Sequence, residues 1–207
     1  IILMNLGSPD STEVKDVRRY LKEFLMDEKV IDVPYLVRYF LIHGIIVPFR
    51  APKSAEAYRT IWTKEGSPLV VLTRQLQQAL QVKVDEPIAI AMRYGNPTPK
   101  LAFDELQKNN PDLEEVLAIP LYPHYAMSSF ETAVESAKEV YEQNKYSFKL
   151  NFLAPFYKEP GYIHALAENK KPYLFQEHDH ILFSYHYIPR RHYHKKSTTG
   201  VTCLKNE

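Results

Sequence analysis

The sequence predicts an α/β fold in which an open parallel sheet is covered by helices on both faces. Short apolar runs of strand length recur along the chain, and longer segments between them repeat apolar residues every three or four positions. A helix between two strands returns the chain to the same edge, so the strands run parallel. The 207 residues, of which 45% are hydrophobic and 25% charged, suffice for one large domain or one domain plus part of another.

The first half of the chain is predicted to contain one strand and two clear amphipathic helices. The strand covers Ile1 to Leu6 and ends at a Gly7-Ser8-Pro9 turn. Ser11 or Thr12 is expected to cap the next helix, whose apolar residues are Val14, Val17, Leu21, Phe24 and Leu25. Ser67-Pro68 begins the other helix, with apolar residues Leu72, Leu76 and Leu80.

The second half alternates more regularly between the two kinds of element. Strands are predicted at Ile88 to Met92, Val116 to Leu121, Phe148 to Leu153 and Ile181 to Ser184. Helices are predicted to begin at Thr98-Pro99, at a capping box made by Ser128 and Glu131, and at Pro160.

Composition excludes several classes of function. The net charge of +1 gives no electrostatic reason to expect a nucleic acid partner. The single cysteine, Cys203, excludes an internal disulfide and a cysteine-rich cluster within these residues, and it fits a reducing, cytoplasmic setting. We expect a few residues to precede Ile1, because the chain opens directly on a strand. The sequence has neither the glycine-rich loops of nucleotide-binding proteins nor the Gly-x-Ser-x-Gly elbow of esterases.

Ligands of open parallel sheets bind beyond the carboxyl ends of the strands, which makes the residues after each predicted strand candidates for a site. They are Leu6 to Pro9, Arg93 to Gly95, Tyr122 with His124 and Tyr125, and Tyr185 to Tyr187. Aromatic rings, an arginine and imidazoles on one edge suit a planar ligand that meets a metal or loses protons.

Motifs in the same order as those of a known family occur along nearly the whole chain. They are Leu3-Met4-Asn5-Leu6-Gly7-Ser8-Pro9, Arg50-Ala51-Pro52-Lys53, Tyr58-Arg59, Gly66-Ser67-Pro68-Leu69, Met92-Arg93-Tyr94-Gly95-Asn96-Pro97, Pro120-Leu121-Tyr122-Pro123-His124-Tyr125 and Leu182-Phe183-Ser184-Tyr185-His186-Tyr187-Ile188-Pro189. In this order they resemble the ferrochelatases, lyases that insert ferrous iron into protoporphyrin IX or coproporphyrin III during haem biosynthesis. The resemblance departs at Tyr187 and Glu159, where many relatives have glycine and histidine.

The resemblance implies a chelatase-like, Rossmann-like topology with two similar domains and a porphyrin cleft between them. Residues 1–155 would form the first domain, and residues 156–207 would begin the second and leave it incomplete. An acidic metal-site residue of the family's second domain has no counterpart in this chain.

Site residues follow from the resemblance position by position. His186 is the catalytic and metal-site candidate, either as an iron ligand or as the base that removes pyrrole protons. Arg50, Tyr58 and Ser67 match porphyrin-binding positions, and Arg50 is expected to pair with a propionate. Other matches to the cleft are Leu6, Arg93, Tyr94, Tyr122, Tyr125, Ile188 and Pro189. For Tyr122 and Tyr125 a purely structural role stays equally open.

The resemblance also shapes the remaining expectations. The apolar segment of residues 30–47, bordered by Arg50 and Lys53, is expected to form a lip at the porphyrin mouth that contacts membranes peripherally, with a core helix as the alternative. Ferrous iron is the substrate, no tightly bound cofactor is expected, and one cysteine excludes a [2Fe-2S] cluster. His178, His180, His192 and His194 are interpreted as solvated flanks. A cobalt or nickel chelatase and an inactive porphyrin-binding fragment are the alternative functions.

Overall fold

The computed structural model describes residues 1–175 and 177–184. Within them the chain separates into two units, the first spanning Ile1–Pro155 and the second beginning at Phe156. The first unit contains the sheet and its flanking helices.

The sheet has four parallel strands in the described part of the chain, which confirms the predicted fold class. The strands are β1 (Ile2–Ser8), β2 (Ala89–Gly95), β3 (Glu115–Pro120) and β4 (Lys149–Phe152), arranged in the order β2-β1-β3-β4. Ile2 of β1 pairs with Ala89 on one side and Ala118 on the other. Gly7 and Ser8 belong to β1 rather than to a turn, since Gly7 pairs with Tyr94.

Six helices of the first unit surround this sheet. They are α1 (Val14–Met26), α2 (Tyr35–Phe40), α3 (Val47–Ile61), α4 (Pro68–Gln81), α5 (Pro99–Asn109) and α6 (Thr132–Asn144). A π-helical turn, Leu41–Ile46, joins α2 to α3, and another, Met127–Glu131, leads into α6. None of the described helices is long and apolar enough to cross a bilayer.

Alternating residues of β1 supply two different cores, as expected for a strand covered on both faces. Ile2 and Met4 pack with α5 and α6 around Phe103. Leu3 packs on the opposite face with Met92 and residues of α4. A third cluster joins α1 and α3 to the end of β2, and its buried members are Val17, Tyr20, Leu21, Leu25, Ile42, Val47, Ala51, Ala55 and Tyr94.

Both predicted serine caps are wrong in detail. Glu13 is the N-cap of α1; Ser11 instead accepts a hydrogen bond from the Glu13 N–H (3.1 Å) and donates to Asp16 (2.6 Å). Ser128 lies inside the π-helical turn and caps nothing with its side chain. The carboxylate of Glu131 pairs with Lys29 instead of folding back on the helix start.

Helix α4 turns a different face to the sheet from the one its leucines predict. Leu72 is 62% exposed and Leu76 39% exposed, whereas Leu80 packs in the core as expected. Thr73 is buried instead and accepts a hydrogen bond from the Asn5 side-chain amide at 3.0 Å. Leu69, Val70 and Leu80 pack in the core on the same side, so this face of the helix meets the sheet.

The second unit, in its described residues, contains one helix, α7 (Pro160–Leu174), which begins at the predicted proline. Its apolar residues are exposed or half-buried. The predicted strand at Ile181 to Ser184 is wrong: these residues are exposed and carry no strand. A strand requires a neighbour with which to share backbone hydrogen bonds, and none of the described residues provides one there.

Candidate functional site

The carboxyl ends of β1, β2 and β3 form the edge at which a ligand is expected. From β1 the chain crosses to β2 on one side, and from β2 it crosses back to β3 on the other. The crevice of an open α/β sheet lies at this reversal, here between β1 and β3. Leu6, Arg93 and Tyr94 lie in the carboxyl halves of their strands, and Tyr122 follows β3 directly.

Asp27, the residue that ends α1, holds the two predicted site residues of β2. Its Oδ2 atom accepts hydrogen bonds from Arg93 Nη2 at 2.6 Å and from the Tyr94 hydroxyl at 2.8 Å. The Thr132 hydroxyl donates to the same oxygen and accepts from Arg93 Nε at 2.7 Å. Oδ1 accepts from the Lys29 backbone N–H at 2.7 Å. Both carboxylate oxygens are therefore occupied, and the side chain is only 5% exposed.

These contacts set the protonation states of the group. Burial works to raise the pKa of Asp27, but the hydrogen bonds from Thr132, Lys29 and Tyr94, together with Arg93, lower it below its ordinary value. Burial raises the pKa of the Tyr94 phenol, and the neighbouring Asp27 carboxylate raises it further. At neutral pH the group is a carboxylate facing a guanidinium and a neutral phenol.

A second buried carboxylate, Glu131, holds Tyr125. The Tyr125 hydroxyl donates to Glu131, whose other oxygen accepts from Lys29 Nζ at 3.0 Å. Lys29 also pairs with Glu135 at 2.8 Å, and its side chain is 14% exposed. The segment after α1 and the start of α6 are thus tied together behind Tyr125, which itself stays 42% exposed.

Aromatic rings form a wall behind the edge. The Tyr94 ring lies edge-to-face against Phe24 (5.2 Å between centroids) and Tyr20 (6.4 Å), and Tyr20 meets Tyr58 at 6.4 Å. Tyr94 is fully buried, so it supports the wall and offers no surface to a ligand. The Arg93 guanidinium lies 4.3 Å from the Tyr94 ring centroid and is the part of this pair that reaches the edge.

Tyr122 presents an unused hydroxyl close to this wall. Its oxygen is buried and has no hydrogen-bond partner in the part of the chain that the structure describes. Burial raises the pKa of Tyr122, so the group is a neutral donor at physiological pH. A buried hydroxyl without a partner costs about 1–3 kcal/mol.

The remaining predicted residues with described positions lie on α3 and at the start of α4. Arg50 is exposed, and Tyr58 is half-buried about 12 Å further along the helix axis. Burial raises the pKa of Tyr58, while its hydrogen bond with Tyr20 and the charge of Arg50 oppose the shift. Ser67 is the buried N-cap residue of α4 and lines a cavity of about 280 Å³ beside Trp62, which contacts Tyr58.

Three predicted site residues, His186, Ile188 and Pro189, lie outside the described residues. His178 and His180 are described and exposed, as expected of solvated flanks. Across residues 1–175 and 177–184, no group of three or more histidine, cysteine, aspartate or glutamate side chains is arranged to hold a metal ion.

Sequence reasoning missed Asp27, Lys29, Glu131 and Thr132 as parts of the site. Asp27 carries one local signal, because a carboxylate at the C-terminus of a helix opposes the helix dipole and needs a compensating partner. Glu131 has the residue type of a capping box, which explains the wrong assignment. Thr132 carries no signal of its own.

Comparison with known proteins identifies the family of the chain. The sequence model of the ferrochelatase family matches residues 1–199. Proteins named ferrochelatase are 44% identical in Pseudomonas syringae pv. tomato and 45% identical in Ectopseudomonas mendocina, each alignment covering 100% of this chain and 60% of the relative. The Opitutus terrae ferrochelatase is 46% identical over 98% of the chain and 59% of its own length. The chain thus spans about 60% of the length of these relatives. It belongs to the ferrochelatase family.

Proposed function

We propose that the protein carrying this chain is a lyase that inserts ferrous iron into a porphyrin, working in the cytoplasm. The observation that carries the proposal is the family match over residues 1–199. The positions of Arg93, Tyr94 and Tyr122 near one edge of the sheet support it. The relatives share the name ferrochelatase, which favours iron over cobalt or nickel.

Insertion of a metal into a porphyrin requires removal of two pyrrole protons and bending of the ring so that nitrogen lone pairs face the metal. A rigid aromatic wall that fits the bent ring better than the flat ring lowers the barrier. His186 supplies the imidazole, as iron ligand or as proton acceptor. Iron is substrate here, and we propose neither a tightly bound cofactor nor an iron–sulfur cluster.

The proposed porphyrin contacts are of two kinds, those with the charged propionates and those with the uncharged ring. Arg50 is exposed and pairs with a propionate, and Tyr58 and Ser67 are the other two porphyrin-binding residues of this region. Arg93, Tyr122 and Tyr125 meet the uncharged part of the ring. Leu6, Ile188 and Pro189 complete the apolar lining, and Tyr94 acts from behind through Arg93. In this proposal residues 1–155 form one wall of the cleft, and residues 156–207 begin the second domain.

The Soret absorption band tests the activity directly, because its position and shape change when a porphyrin takes up a metal. We expect the full-length protein to metalate protoporphyrin IX or coproporphyrin III with ferrous iron faster than with cobalt or nickel. The 207-residue chain is assayed beside it, with both porphyrins. Uptake of porphyrin by the full-length protein without any metalation would contradict the proposal.

The apolar lip, residues 30–47, is proposed as a peripheral membrane contact. Ile42 and Val47 are buried in the core, so the segment is anchored. Its outward face carries exposed side chains at Tyr35, Leu36, Val37, Tyr39, Phe40 and Ile45. One face of the segment therefore packs in the core, and the exposed face is the part proposed to contact the membrane. Exposed Arg50 and Lys53 nearby favour anionic lipid, at about 1 kcal/mol each.

Replacing Leu36 and Phe40 together by serine is expected to lower vesicle binding of the full-length protein at least about tenfold. These side chains are 67% and 69% exposed, and burying such a side chain in an apolar phase contributes roughly 1.5–3 kcal/mol. Co-sedimentation with phosphatidylcholine vesicles, with and without phosphatidylglycerol, measures the loss. The matched control is Leu72→Ser, since Leu72 is 62% exposed on α4. Equal losses in the lip variant and this control would contradict the proposal.

A further inference from the structure

The positive charge of Arg93 affects the entry of a metal cation at the proposed metalation site. Its guanidinium lies at the edge where the porphyrin is proposed to bind, and its side chain is 19% exposed. A free cation there would repel an arriving ferrous ion, since the energy scales with the product of the charges and is larger where water is excluded. Arg93 is not free, however, because Asp27 pairs with it at 2.6 Å.

We propose that Asp27 is a positioning residue that fixes and neutralises Arg93, so that this side chain meets the porphyrin ring without opposing the entry of the metal dication. The inference rests on the proposed function. It assigns different tasks to two arginines, with Arg50 left charged for carboxylates and Arg93 neutralised for the centre of the ring.

The geometry of Arg93 supports a fixed orientation. Nη2 is held by Asp27 and Nε by the Thr132 hydroxyl, at 2.6 Å and 2.7 Å. The ring of Tyr94 lies beneath the guanidinium at 4.3 Å, and the Tyr94 hydroxyl is held by the same Asp27 oxygen. Two bonds and one stacking contact define the guanidinium plane, and Nη1 is the nitrogen that they leave for a ligand.

Apart from the local Lys29 N–H, the partners of Asp27 come from distant parts of the chain, so its role extends beyond the end of α1. Arg93 and Tyr94 belong to β2, Thr132 begins α6, and Asp27 itself follows α1. Thr132 is 2% exposed and Tyr94 fully buried, so these contacts are formed within the packed interior. A buried carboxylate that accepts this many hydrogen bonds serves through its charge or through its geometry, and an experiment can separate these two roles.

The Asp27→Asn variant of the full-length protein separates the role of the charge from the role of the geometry, because asparagine keeps the shape of the side chain and removes its charge. With porphyrin saturating, we expect kcat/KM for ferrous iron to fall at least tenfold, chiefly through a higher KM for iron, with porphyrin binding changed less than threefold. Salt screens charge repulsion, so the defect should shrink when ionic strength rises from about 0.05 M to about 0.5 M. A merely structural defect would lower kcat or the melting temperature without this salt dependence.

The matched control is Asp104→Asn. Asp104 also accepts hydrogen bonds from a lysine and a tyrosine, Lys100 (2.6 Å) and Tyr146 (2.5 Å), but lies on α5 away from the site edge. If Asp27→Asn metalates like this control, the inference is overturned although the proposed function stands. If the unmodified protein fails to metalate porphyrin at all, the proposed function is the part that fails.

A second variant covers the case in which Asp27→Asn does not fold. Arg93→Gln leaves Asp27 as an uncompensated negative charge, so the KM for iron should stay at or below that of the unmodified protein. The double variant should lie between the two single variants. A raised and salt-independent KM for iron in Arg93→Gln would overturn the inference.

Discussion

Replacing His186 by alanine is expected to abolish iron insertion while leaving porphyrin uptake close to that of the unmodified protein. The imidazole serves the metalation step as ligand or base, whereas porphyrin binding rests on the aromatic and arginine residues of the cleft. A positioned general base accelerates a reaction by about 10²–10⁴-fold, so the rate should fall by at least the lower bound. The Soret band gives the rate, and quenching of protein fluorescence gives the porphyrin affinity.

His180→Ala is the matched control, because His180 lies six positions earlier and is exposed. It should leave both measurements unchanged. Weakened porphyrin binding in His186→Ala with unchanged turnover per bound porphyrin would reverse the assignment and make the residue a binding group.

Gly7→Ala is expected to cause the largest loss of stability of any single methyl addition in the first unit. Gly7 adopts φ +98°, and a Cβ there would lie 1.8 Å from the Tyr94 carbonyl oxygen and 2.9 Å from its carbonyl carbon. The left-handed conformation alone costs a non-glycine residue about 1–2 kcal/mol. Because the obstacle is backbone in the neighbouring strand, relief requires β1 and β2 to separate locally, and we expect a total loss above about 4 kcal/mol.

Thermal unfolding followed by circular dichroism measures this loss, and Gly44→Ala provides the control. Gly44 lies in the π-helical turn, and a Cβ there would meet no atom within 4 Å. Alanine is favoured over glycine in helices by about 1 kcal/mol, so this variant should melt at the same temperature or slightly higher. Equal melting temperatures for the two variants would show that β1 tolerates the displacement.

The sheet could be predicted because its signal is local. The run that became β2 is buried along almost its whole length, so its apolar residues are contiguous and visible without knowledge of the partner strand. In β3 the buried residues alternate with exposed or half-buried ones, which is the period-two pattern of a strand with one covered face. The rotation of α4 could not be predicted in this way. Its sequence offers apolar residues at Leu69 and Val70 as well as at Leu72 and Leu76, and periodicity alone does not show that the face with Leu69, Val70 and Thr73 meets the sheet.

In the candidate site too, residues with a local sequence signal could be predicted and contacts between distant residues could not. The general rule for open α/β sheets, together with the strand ends, places Arg93, Tyr94 and Tyr122 at one edge from sequence alone. The contact between Asp27 and Thr132 joins residues 105 positions apart, and no periodicity connects them. Residue type and position did not predict that Tyr94 is buried. Its ring lies at the expected strand end but is enclosed by Phe24 and Tyr20.

The central place of β1 in the sheet has a consequence for how the protein is made. Ile2 to Ser8 are synthesised before the other strands of the sheet, yet β1 has β2 on one side and β3 on the other, so it has no partner strand until residue 89 and beyond have left the ribosome. At about 5–20 residues per second, the apolar opening strand waits roughly 4–17 s for its first partner. During this interval both edges of β1 lack their hydrogen-bond partners, and the second edge stays unpaired until the residues of β3 have emerged.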